Sequence, residues 1–69
     1  MLDINTPNGY KAVTDGQSIA INDLMGRVML IYQPGQAEVI WGKRTKREVT
    51  YLREDLEYVR ELLAGTPVE

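Results

Sequence analysis

Behind the tetrad Thr45-Lys46-Arg47-Glu48, the residues Val49, Leu52, Leu56, Val59 and Leu63 recur at steps of three and four. No other feature constrains the fold as strongly, because such steps return to one side of a helix. The tetrad fits a capping box: Thr45 can accept from the backbone N–H of Glu48, and Glu48 can reach back to the N–H of Thr45. Gly65 stands where a left-handed cap is wanted, and Pro67 stops any continuation. The pattern predicts a helix over about 46–64, roughly 28 Å long at ~1.5 Å per residue. A rival reading makes 47–51 a strand and starts the helix near Leu52. The capping box favours the longer helix.

A helix with one apolar stripe needs a second layer to cover it. Val28-Met29-Leu30-Ile31-Tyr32 and Ala37-Glu38-Val39-Ile40-Trp41 supply one, as strand-favouring runs on either side of Gln33-Pro34-Gly35-Gln36. Pro and Gly at its central positions suit a type II turn, which matches hairpin twist less well than a primed turn. The expectation is a β-hairpin over about 28–32 and 37–41 with a slightly widened loop. Its predicted core is Val28, Leu30, Val39 and Trp41 against Val49, Leu52, Leu56, Val59 and Leu63. Upstream the signals conflict. Asp15-Gly16-Gln17 between two apolar runs reads as a hairpin turn, yet Ile21, Leu24, Met25 and Val28 fall at helical spacing. Residues 19–25 are a short helix or an extra strand. Asn5-Thr6-Pro7-Asn8-Gly9 breaks regular structure, so 1–9 is read as a flexible arm. The fold class is α+β, with one domain over 10–65 and a tail over 66–69.

A 69-residue chain has a small core, worth ~3–5 kcal/mol on its own. With no Cys and no His, disulfides and thiolate or imidazole metal ligation are excluded. Association with partners is the remaining source of stability. The same absence removes the usual nucleophiles and bases, and no Gly-rich segment matches a phosphate loop. The chain is therefore read as not an enzyme, with no cofactor, no metal and no catalytic residue. No membrane span or signal peptide is legible, and a cytoplasmic location is expected.

Four of the eight cations, Lys43, Arg44, Lys46 and Arg47, fall within five residues between hairpin and helix. Clustered cations can bind phosphate or an acidic protein surface, or simply form a solvated loop. With a net charge of −2, bulk attraction to nucleic acid is absent. Glu54, Asp55, Glu57 and Glu61 are read as a solvated acidic face of the helix, with Arg53–Glu57 and Glu57–Arg60 as possible pairs. Tyr58 and Leu62 lie beside the main stripe, free to cover a sheet edge or to meet a partner. The candidate partner-binding residues are Lys43, Arg44, Lys46, Arg47, Glu57, Tyr58, Glu61 and Leu62.

The order Asn22-Asp23-Leu24-Met25-Gly26-Arg27-Val28, a hairpin, then a capped helix with Asp55-Leu56, Tyr58-Val59 and Glu61-Leu62 resembles the W-type head-to-tail joining proteins of lambda-like tailed phages. The likeness spans roughly 22–65. It implies a helix–hairpin–helix plan with a Leu-Met-Gly segment closing the first helix. It also implies a structural subunit in a ring at the virion neck, contacting neighbouring copies and a portal or tail protein. That family's first helix is long, whereas Pro7, Gly9 and Gly16 forbid one here before about residue 18. Its basic C-terminal tail has no counterpart in Gly65-Thr66-Pro67-Val68-Glu69. The expected assembly is head-to-tail, the basic junction of one copy meeting the acidic helix face of the next, with little association of the isolated chain. The alternative is a small regulatory module binding nucleic acid or a host protein through 43–47.

Overall fold

Short runs of strand-forming residues alternate with turn sequences, and each turn sends the chain straight back beside itself. In the computed structural model, which describes residues 1–65, this gives β1 (Leu2–Asn5), β2 (Lys11–Thr14), β3 (Ile19–Asn22), β4 (Val28–Tyr32) and β5 (Val39–Ile40). They form one antiparallel sheet in sequence order, and α1 (Lys46–Leu63) packs against it, chiefly over β3 and β4. The protein is α+β. The tail 66–69, including the stop at Pro67, lies outside the described residues.

Two of the turns share one design. In Thr6–Tyr10 the Thr6 N–H donates to the Tyr10 carbonyl (3.0 Å) and the Gly9 N–H to the Thr6 carbonyl (3.1 Å). In Asp23–Arg27 the matching bonds are Asp23 to Arg27 (2.9 Å) and Gly26 to Asp23 (3.0 Å). Each is a three-residue hairpin loop, a type I turn completed by a residue in the left-handed region. That residue is glycine in both, with φ of +89° and +86°, because a Cβ is strained there. So the first nine residues, expected as an arm, instead contribute β1 and its turn to the sheet. Of the two readings of 19–25, the strand is present at 19–22, and Leu24-Met25 forms the tip of the second loop.

Strand pairing aligns Ile4, Ala12, Ile21, Leu30 and Ile40 in one row. This row faces the helix, and Ala12, Ile21 and Leu30 are buried in it beside Ile19, Met29, Leu52, Leu56 and Val59. The next row, Asp3, Val13, Ala20, Ile31 and Val39, lies on the opposite face, which no second layer covers among the described residues.

The hairpin over β4 and β5 forms, but its second strand is confined to 39–40 rather than 37–41, and three expected core residues lie outside. Val28 is 42% exposed, Val39 52% and Trp41 46%. For Val28 the cause is a register shift: Asn22 pairs with Val28 while Ile21 pairs with Leu30. The extra residue, Met29, makes a bulge. Met29 and Leu30 both turn inward, and Val28 is left on the open face with Asn22. Val39, aligned with Ile31, shares that face. Val49 and Leu63 are half-buried, while Leu52, Leu56 and Val59 are fully inside.

The helix itself follows its sequence pattern. Thr45 caps it: the Glu48 N–H donates to Thr45 Oγ1 (3.1 Å) and the Thr45 N–H to Glu48 Oε1 (2.9 Å). Residues 47–51 are helical, not a strand. Ala64 closes the last turn through its N–H to the Arg60 carbonyl, and Gly65 takes the left-handed conformation expected of it.

Candidate functional site

The basic segment sits where β5 hands over to α1. Arg44 turns back, its Nε donating to the Trp41 carbonyl at 2.8 Å. Lys43, Lys46 and Arg47 are exposed. Trp41, left outside the core at 46% exposure, precedes Lys43 by two residues. Glu48 in the first turn offsets the mismatch between Lys46, Arg47 and the positive end of the helix dipole.

Along α1 the polar residues divide in a way the sequence pattern did not separate. Glu57 pairs with Arg60 (3.7 Å), one of the two expected pairs, while Arg53 reaches across to Glu38 on the hairpin loop (Nε–Oε2 3.1 Å). Arg60 also lies over the Tyr32 ring, 4.9 Å from its centre. Glu54, Glu57 and Glu61 are exposed. Asp55 is not part of that solvated face, because it is 0% exposed. Tyr51, Tyr58 and Leu62 stand at i, i+7 and i+11, so they form a second line along the helix at 100° per residue. All three are exposed.

Asp55 is held by the first hairpin turn. Its Oδ2 accepts from the Thr6 hydroxyl at 2.6 Å, and its Oδ1 from Asn8 Nδ2 at 2.9 Å and from the Asn8 N–H at 3.3 Å. The Thr6 hydroxyl has one proton. The shorter contact assigns it to Asp55, while the same oxygen accepts from the Tyr10 N–H (3.0 Å). Asn8 Nδ2 also lies 3.2 Å from both the Tyr51 carbonyl and Glu54 Oε1. Sequence reasoning missed this group, since Thr6 and Asn8 look like ordinary turn formers and Asp55 like one more surface acid.

The open sheet face adds an apolar strip of Val13, Ala20, Ile31 and Val39. A shallow hollow of about 270 Å³ lies there, with Met1, Val13, Ala20 and Ile31 in its wall. Burial pushes the Tyr10 phenol up, with Glu48 and Asp55 adding to the shift. The Gln17 and Ser18 N–H groups hold Asp15 below the usual carboxylate range, and the Arg27 N–H does the same for Asp23, supported by Met25 and the Arg27 guanidinium. Among the described residues no three acidic or other ligand side chains gather to hold a metal, and no helix is long and apolar enough to cross a membrane. Comparison with family models, curated proteins and solved structures returns no match.

Proposed function

We propose that the chain is a non-catalytic interaction protein, a small subunit that works by holding other protein in an assembly. The observation that carries this reading is the line of Tyr51, Tyr58 and Leu62, left 37%, 38% and 45% exposed on a helix whose other apolar side is buried. Aligned exposed apolar groups mark contact sites, and tyrosine is favoured in them. Glu54 and Glu61 flank the line on its solvent side and would help select a partner. The narrower form of the proposal is a head–tail connector subunit meeting neighbouring copies and a portal or tail protein. Its support is the sequence likeness over 22–65 and the partner surface on α1. The segment 22–28 forms a β-turn here, not a helix end, and Asp55 is withdrawn from the acidic face. The reading therefore rests on Tyr58 and Leu62 more than on a head-to-tail charge contact.

In the test, tagged full-length chain is recovered from its native host before and after the double change Tyr58→Ser and Leu62→Ser. A stoichiometric protein partner lost from the double variant, at unchanged thermal midpoint, supports the proposal. A partner retained at full yield sinks it.

A second reading has its own observation: the exposed Trp41 two residues before the basic segment of Lys43, Lys46 and Arg47. An exposed aromatic next to clustered cations in the sequence suits single-stranded nucleic acid. Trp41 is the single tryptophan, so its fluorescence reports binding directly. Quenching by oligonucleotide that falls steeply with salt and is lost in Lys43→Ala with Arg47→Ala would favour this reading over the first.

A further inference from the structure

The two edges of the sheet are unequal. β5 is two residues long and runs into Gly42-Lys43-Arg44, a short edge followed by cations, which resists pairing with another strand. β1 has four residues, no Lys, no Pro and no bulge, and among the described residues pairs only with β2. Leu2 on it is 58% exposed.

The phase of β1 can be read from its turn. The Thr6 N–H points at β2, donating to Tyr10. Hydrogen-bonding residues alternate along an antiparallel strand, so Ile4 and Leu2 also bond to β2. Asp3 and Asn5 therefore direct their N–H and C=O groups outward, to the free edge. An antiparallel partner must place its own outward groups opposite these. For a second copy, only registers centred on a residue meet that condition, because a register centred between residues opposes outward groups to inward ones.

Of those registers, three fail. Centred on Leu2, Asn5 falls past the end of the partner's β1. Centred on Asp3, two carboxylates meet face to face, which is destabilising. Centred on Asn5, Asp3 lies opposite Pro7, which has no N–H to give. Centred on Ile4, each Asp3 lies opposite an Asn5, both outward pairs exchange their bonds, and the Asn5 amide can donate to the Asp3 carboxylate. Ile4 then meets its own copy in a non-hydrogen-bonded pair, where side chains approach most closely.

We propose that β1 is a self-complementary edge through which two copies join, antiparallel, with Ile4 on the two-fold axis. The two five-stranded sheets become one continuous sheet with both helices on the same face. This rests on strand geometry alone and not on the helix surface proposed above for a partner. A ladder of this length buries less than the ~1,200 Å² of a stable interface, so the dimer is reversible and populated at high protein concentration.

The sequence holds no Cys, so single introduced thiols report the register. Full-length Ile4→Cys, Asp3→Cys, Asn5→Cys and, as a remote control, Gln36→Cys are oxidised mildly. Disulfides need Cβ atoms close together, so Ile4→Cys should cross-link about tenfold faster than the other three. Asp3→Cys or Asn5→Cys cross-linking fastest, or none exceeding Gln36→Cys, overturns the proposal. In a second arm, Asn5→Pro removes an outward N–H and spares the bonds to β2. It should abolish the dimer seen by sedimentation while the thermal midpoint holds, and a dimer that survives it overturns the proposal. Tyr58→Ser with Leu62→Ser should leave Ile4→Cys cross-linking unchanged.

Discussion

Two polar fastenings hold α1, and they work under opposite conditions. At its start, Thr45 and Glu48 exchange hydrogen bonds in the open, with water ready to replace either partner. In its middle, Asp55 is wholly enclosed and receives Thr6 and Asn8 from a turn at the far end of the sequence. Each net hydrogen bond contributes only about 1 kcal/mol, but leaving a buried group unsatisfied costs ~1–3 kcal/mol. The capping box therefore adds a modest stabilisation, whereas the Asp55 group fixes which face of the helix sits over the first turn.

Removing Asp55 should expose this contrast most clearly. Asp55→Ala strands the Thr6 hydroxyl and Asn8 amide and should cost about 2–4 kcal/mol in urea unfolding, most of what a domain this small possesses. Thr6→Val removes the hydroxyl at nearly constant shape. Combined with Asp55→Ala in a double-mutant cycle it should show coupling on the order of 1 kcal/mol or more. Additive losses would mean the pair is no more than adjacent. Next in size is Thr45→Ala, expected to cost ~1 kcal/mol, with Thr45→Ser close to neutral. If Thr45→Ala proved as damaging as Asp55→Ala, the distinction between open and enclosed fastenings would fail.

The smallest effect belongs to the half-buried carboxylate of the second loop, Asp23. Its pKa is depressed below the ordinary 3.8, first by the Arg27 N–H. A depressed carboxylate stabilises the fold above its unfolded pKa, and that contribution is lost as pH falls through the folded value. Thermal midpoints of the parent should therefore fall more steeply below pH ~4 than those of Asp23→Ala. Parallel curves would show that the loop holds without its charge.

The same contrast explains what was legible in the sequence. Thr45 and Glu48 are three residues apart, so their bond is implied by spacing once a helix is assumed. Thr6 and Asp55 are separated by 49 positions, and nothing local in either announces the other. Hairpin strands β4 and β5 were readable from their strand-favouring apolar runs and Pro34-Gly35. The outward turn of Val28 was not, because the bulge at Met29 arises only from pairing with β3, and that of Val39 was not, because it depends on the register that sets Val39 opposite Ile31. Likewise Leu24-Met25-Gly26 mimics the end of a helix in sequence, and its hairpin identity rests on bonds between Asp23 and Arg27. Of the candidate partner residues, Lys43, Lys46, Arg47, Glu57, Tyr58, Glu61 and Leu62 are exposed, and Arg44 turns back to the Trp41 carbonyl. The uncovered sheet face went unrecognised because it is defined by what does not pack against it.

A meander pairs every strand with its neighbour in sequence, so most of this sheet can be assembled by closing short loops. Such loops close quickly, and topologies rich in local contacts fold fast. The Thr6–Asp55 bond spans nearly the whole chain and cannot form until helix and first hairpin both exist. It should belong to the descent after the barrier and not to the climb before it. Asp55→Ala and Thr6→Val should therefore accelerate unfolding and leave the refolding rate almost unchanged. A bond that helps little in reaching the native state would then govern how long the molecule remains there.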